Sequence, residues 1–86
     1  MTQDQPAPAP ALVIDARGLN CPLPVLRLRK RLQGLGAGSV VELLATDRAA
    51  LRDVPAFCEA QGHAVSFEDA NGVLRFRVRK GELPKV

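Results

Sequence analysis

Residues 15–32 read DARGLNCPLPVLRLRKRL, and this run fixes the first half of the fold. A proline is tolerated in the first helical turn, where its missing N–H would have had no intrahelical partner and its fixed φ suits the backbone. Pro22 and Pro24 therefore mark a helix start. Val25, Leu28 and Leu32, spaced at three and four, predict a helix over 22–33 with one apolar face. Gly34 stands where a left-handed residue commonly closes a helix. The opposite face carries Arg27, Lys30 and Arg31.

Working outward, ALVID at 11–15 is a short apolar run ending at the turn-forming Arg17-Gly18, which reads as a buried strand with Gly18 permitting the tight turn. After GLGAGS, the run VVELLA at 40–45 is β-branched at its start and mostly apolar, as a strand inside a sheet should be. In TDRAALRDVPAFCEAQG, Pro55 is unsuited to the interior of a continuous helix but fits a helix start capped by Asp53. A helical turn at 49–52 and a second helix over 54–61, closed by Gly62, are expected.

The last segment alternates, with Val65 and Phe67 facing one way and Leu74, Phe76 and Val78 doing the same beyond the turn DANG. Asn71-Gly72 signals a β-hairpin. Arg75, Arg77 and Arg79 fill the intervening positions, so one sheet face should be open to water and basic. The order βαβαββ predicts a two-layer α/β sandwich: a mixed four-stranded sheet with two helices on one face. The domain is expected over 11–80, with a polar, proline-spaced, disordered tail at 1–10 and a short tail at 81–86.

The chain has 86 residues, 47% of them hydrophobic, which bounds it to one small domain with a modest core. Three phenylalanines and no tyrosine or tryptophan leave few platforms for stacking bases. A net charge of +3, with arginines concentrated near 27–31 and 75–80, points to partners with acidic contact surfaces. MTQDQPAPAP lacks the basic start and apolar core of a secretory signal, and no stretch approaches the ~20 apolar residues of a membrane span. A reducing cytoplasm is the expected location. Cys21 and Cys58 do not form a redox pair by spacing, and the single His63 has no metal-ligand cluster around it, so neither a metal nor a cofactor is expected.

Cys21 is the candidate reactive group. With the helix starting at Pro22 it takes the cap position, where unpaired N–H groups and the helix dipole favour thiolate over thiol, and nearby Arg17, Arg27 and Lys30 would add to that. The competing reading is a small, inert, buried cysteine. Two prolines fixing the backbone beside it favour the reactive one. No histidine or carboxylate pair stands beside Cys21 in sequence, and there is no C-x-x-C whose second thiol would discharge a sulfur bound to the first. His63 reads as a strand-start residue with a structural hydrogen bond, and Cys58, by its spacing from Val54, as a residue facing the sheet.

DARGLNCPLP, RDVPAFCEAQGH at 52–63 and the closing LRFRVRK together resemble the small TusA-like, or SirA-like, sulfur-carrier proteins, whose mark is Cys-Pro-x-Pro after a short first strand. The likeness covers 12–80. It implies that Cys21 accepts sulfane sulfur as a persulfide from a cysteine desulfurase or rhodanese and passes it to an acceptor protein. The chain would then be a sulfurtransferase-type carrier rather than a stand-alone enzyme, serving tRNA thiolation, molybdenum-cofactor maturation or sulfur oxidation. Gly18, Pro22 and Pro24 would position the thiol, and Arg27, Lys30 and Arg31 would guide docking. Leu23 stands between the prolines, where some members acting in tRNA thiolation carry an acid.

Two other readings compete. A basic RNA-binding module would use the open sheet face and weaken steeply with salt, although the scarcity of aromatics argues against stable nucleic-acid binding. A thiol redox sensor would form a sulfenate at Cys21 but lacks a resolving cysteine nearby in sequence. Arginines on an edge strand would disfavour sheet extension and so favour a monomer.

Overall fold

The structure, a computed structural model, describes residues 10–81. The expected tails at 1–10 and 81–86 fall outside it, apart from Pro10 and Gly81. The elements are β1 (Leu12–Ala16), α1 (Leu23–Leu32), β2 (Val40–Ala45), α2 (Ala50–Gln61), β3 (Ala64–Ala70) and β4 (Val73–Arg79), in the expected βαβαββ order. They form a two-layer α/β fold around a mixed sheet of order β1-β2-β4-β3. β1 pairs parallel to β2, while β4 is antiparallel to both β2 and β3.

Period-two alternation builds the sheet's inner face. Ile14 and Ala16, Val41, Leu43 and Ala45, and Leu74, Phe76 and Val78 are all buried. The helices supply Pro24, Leu28 and Leu32 from α1 and Ala50, Val54 and Cys58 from α2. Both triplets recur every four residues, the spacing of one helix face. In α1 the stripe thus begins at Pro24, and Val25, expected to lead it, is only partly buried at its margin.

Phe67 lies opposite Phe76 in the register and on the same face, with ring centroids 5.6 Å apart, yet it is 51% exposed. β3 is an edge strand, so its inner face runs beyond the cover of the helices. β4, the arginine-bearing strand, is interior, with β1 and β3 as the edges. The arginines of β4 therefore do not guard a sheet edge and do not favour a monomer.

Three helix ends differ from expectation. α1 starts at Leu23, with Pro22 at the cap and the Cys21–Pro22 peptide cis, so Cys21 precedes the cap rather than occupying it. At the other end Gln33 is right-handed and Gly34 has no positive φ. The closure comes from Lys80 instead, whose Nζ donates to the carbonyl oxygens of Leu32 at 2.7 Å and Leu35 at 2.6 Å. A cation at a helix C-terminus satisfies orphan carbonyls and suits the dipole, so Lys80 is a structural residue rather than part of a free basic face.

α2 is continuous through Pro55, which corrects the expected break at 53–54. Proline removes one backbone bond, but Pro55 lies off the buried Ala50–Val54–Cys58 stripe, and burial of that stripe holds the helix together. Asp53 is therefore inside the first turns and not the cap. The cap residue is Ala49, with no side-chain bond, and Asp47 closes the turn that leads into it: its Oδ1 accepts the Ala49 N–H at 2.9 Å, and its carbonyl oxygen accepts the Ala50 N–H at 3.0 Å.

Gly62 closes α2 as expected, with φ +81. His63 N–H reaches the Cys58 carbonyl at 2.8 Å and Gly62 N–H that of Glu59 at 3.3 Å, the two bonds of a Schellman motif. His63 then leads into β3, and its Nδ1 accepts the Gly81 N–H at 2.9 Å, the structural bond expected of it. Burial and nearby Lys80 hold its pKa down, so the ring is the neutral acceptor.

Candidate functional site

Because β1 and β2 are parallel and in register, Ala16 opposite Ala45, their C-terminal ends release two loops side by side. In α/β sheets this is the end where sites form. One loop, 17–22, carries Cys21; the other, 46–49, leads into α2. Gly18, with φ +80, makes the turn, and its N–H donates to Thr46 Oγ1 at 2.9 Å. The Cys21 N–H donates to Asp47 Oδ2 at 2.7 Å, so the carboxylate that closes the turn before α2 also pins the cysteine loop. A narrow crevice between the helices is lined by Cys21, Pro24, Val25, Asp47, Asp53 and Val54.

Cys21 is exposed, and its Sγ donates to Asp53 Oδ2 at 2.7 Å. The electrostatics reverse the sequence-based expectation. The Asp53 hydrogen bond comes first, then partial desolvation and the charges of Asp53 and Asp47, and together they raise the thiol's pKa, with Arg52 opposing weakly. Arg17, expected to favour the thiolate, is turned back onto Asp15, with its Nη2 2.8 Å from Asp15 Oδ2. In this state the site holds a neutral thiol as a donor. The thiol bond and then Arg52, whose Nε lies 3.2 Å from Asp53 Oδ1, keep the Asp53 carboxyl below the ordinary carboxylate range.

The sequence places no carboxylate beside Cys21, whereas the fold delivers Asp47 and Asp53 from the far side of β2. Asp47 carries a signal, as an Asp two residues after a strand and three residues before a helical Ala50. Asp53, expected as a cap, lies inside α2. Its true placement follows only once α2 is known to run unbroken from Ala50.

Pro22 and Pro24 follow Cys21, Pro22 at the cap of α1 and Pro24 buried and lining the same crevice as Cys21. Arg27, Lys30 and Arg31 are exposed and line a shallow groove with Leu23 and Leu26, each 46% exposed. The α1 surface next to Cys21 is thus basic and apolar at once. Cys58 is fully buried, and burial pushes its thiol up to about 11, so it takes the structural role and offers no second thiol at the surface. Among the described residues no three side chains gather as metal ligands, and no helix is long and apolar enough to cross a membrane.

The open sheet face is less basic than its strand suggested. Arg75, Arg77 and Arg79 alternate there, but Asp15, Glu42 and Glu68 share it, and Arg75 lies 3.6 Å from Glu42 and 3.4 Å from Glu68. Charge on that face is close to balanced, which withdraws the main support for phosphate binding there.

The chain is thus a small two-layer α/β protein that presents an exposed thiol, in Cys-Pro-x-Pro, at the carboxyl ends of two parallel strands. The comparisons specify its kind. The family described as sulfurtransferase TusA matches residues 12–80, and the chain belongs to it as a sulfur carrier protein. The sulfur carrier protein TusA of Pseudomonas putida strain GB-1 is 42% identical over 73 residues, covering 83% of this chain and 90% of its own. YrkF of Bacillus subtilis is 41% identical over 71 residues, 81% of this chain, and this chain spans 38% of that protein's length. The crystal structure of a SirA-like protein from Desulfitobacterium hafniense superimposes with a TM-score of 0.75 at 34% identity, covering 83% of this chain and 99% of the other.

Proposed function

We propose that Cys21 carries sulfane sulfur as a persulfide, received from a donor enzyme such as a cysteine desulfurase or rhodanese and relayed to an acceptor protein. The observation that carries this reading is the exposed Cys21 sulfur at the mouth of the loop crevice, in a chain of the sulfur-carrier family. The balance needs no oxidant. The Cys21 sulfur attacks the outer sulfur of a donor persulfide, a new S–S bond forms at Cys21, and the donor's S–S bond breaks. The donor cysteine leaves with the electron pair and takes up the proton that Cys21 gives up. The reverse exchange at an acceptor thiol unloads the carrier.

Gly18, Pro22 and Pro24 position the thiol: the glycine turns the loop and the prolines fix the start of α1. Arg27, Lys30 and Arg31 steer an acidic partner surface toward it, and Leu23 and Leu26 supply apolar contact beside them. Leu23 occupies the variable motif position, so this carrier's partners meet an apolar residue there. The pathway served is tRNA thiolation, molybdenum-cofactor maturation or sulfur oxidation. The test is loading with a desulfurase and radiolabelled cysteine: wild type should become labelled and Cys21→Ser should not, with matching circular dichroism. Equal labelling of the serine variant would overturn the reading.

A further inference from the structure

The charged groups facing Cys21 come from the chain that follows β2. The loop after β2 presents Asp47 to the Cys21 backbone N–H at 2.7 Å, and α2 presents Asp53 to the sulfur at 2.7 Å and Arg52 to the far oxygen of Asp53 at 3.2 Å. On its own loop the nearest arginine, Arg17, is bound to Asp15. α1 contributes Pro24 and Val25 to the crevice and no charge. An exposed nucleophile is therefore bonded through its own proton to the Asp53 carboxylate.

We infer that Asp53 is the positioning residue of this site: it aims the Cys21 sulfur across the crevice and holds its proton, so that the free carrier is guarded against adventitious electrophiles until a docked partner perturbs the carboxylate. The thiolate is the attacking species, and an anion bonded to S–H disfavours its formation. Asp47 keeps the loop in place for that bond through the backbone, without touching the sulfur. Arg52 opposes the guard by offsetting part of the Asp53 charge.

The inference rests on reading Cys21 as the sulfur-bearing thiol, but its test needs no sulfur donor. Alkylation of Cys21 by iodoacetamide is followed against pH by peptide mass spectrometry in wild type, Asp53→Asn and Asp53→Glu. Asp53→Asn should move the profile to lower pH and speed alkylation at pH 7.5 by roughly threefold to tenfold, the scale of a charge-assisted hydrogen bond at an exposed site. Asp53→Glu, which keeps the anion, should stay near wild type. In wild type the native profile should also lie at higher pH than that of the urea-unfolded chain, a measurement that depends on no variant.

An Asp53→Asn profile superimposed on wild type, or a native wild-type profile at or below the unfolded one, would overturn the guard. Failure of Cys21 to take sulfur from any donor would instead remove the carrier reading and leave the alkylation result standing.

Discussion

Cys21 and Asp53, 32 residues apart in sequence, share a hydrogen bond of 2.7 Å between Sγ and Oδ2, which ties the loop after β1 to the first turns of α2. The bond exists because β1 and β2 run parallel and in register. The same pairing places Asp47 under the Cys21 N–H and Thr46 under that of Gly18. The thiol is thus held by a second helix as well as by the prolines of its own motif.

The two thiols should differ sharply in reactivity. Cys58 is buried and pushed up to about 11, whereas Cys21 is exposed. Iodoacetamide at pH 8 should modify Cys21 alone in the folded protein and both cysteines in urea, read by intact mass. Modification of both at similar rates without denaturant would contradict the packing of α2.

Lys80 should matter to stability and not to sulfur chemistry. Its Nζ satisfies the Leu32 and Leu35 carbonyls at the end of α1. Lys80→Ala should cost about 1.5–3 kcal/mol in urea unfolding, the range for hydrogen bonds from a charged donor, with Cys21 alkylation unchanged. A loss below the error of the measurement would show that this closure is dispensable.

Charge reversal on α1 should slow loading without unfolding the protein. Arg27→Glu combined with Arg31→Glu should reduce the rate of sulfur transfer from a desulfurase by roughly tenfold at low salt, because steering of acidic surfaces acts on the association rate. The difference should shrink near 1 M salt, where charges are screened beyond ~3 Å. A salt-independent defect would place the effect in the transfer step instead.

Stability should fall steadily with acid. His63 has a lowered pKa, so the unfolded state binds a proton more readily, and stability is lost as pH falls below the ordinary histidine value near 6.5. Asp15, lowered to about 2 chiefly by its Arg17 hydrogen bond, adds to the loss as pH falls from the ordinary carboxylate range toward 2. Asp47, Asp53 and Asp69 are lowered too and act in the same direction. Urea midpoints should therefore decline from pH 7 to pH 2, and His63→Gln should flatten the upper part of that decline. A rising midpoint would contradict the assigned hydrogen bonds.

Local chemistry made much of this legible in sequence. Alternation in 64–79, the Asn71-Gly72 turn, the prolines after Cys21 and Gly62 after α2 each specify structure within a few residues: the hairpin and the end of α2 stand where they were expected, and α1 starts one residue later. The misreadings concern what long-range packing decides. Pro55 stays inside α2 because Val54 and Cys58 are buried on either side of it along the chain. Lys80 serves α1 from the end of β4, 48 residues from Leu32, a contact no local pattern encodes. The basic strand lies inside the sheet beside Glu42 and Glu68, because β4 inserts between β2 and β3. Asp53 reaches Cys21 for the same kind of reason, and with it the expected thiolate becomes a guarded thiol.

The central claim, that sulfur travels on Cys21, is tested most directly by intact-protein mass spectrometry after incubation with a cysteine desulfurase and cysteine, comparing wild type, Cys21→Ser and Cys58→Ser. A gain of one sulfur, about 32 Da, in wild type and Cys58→Ser but not in Cys21→Ser is the predicted result. The same gain in Cys21→Ser, or its loss only in Cys58→Ser, would contradict the account.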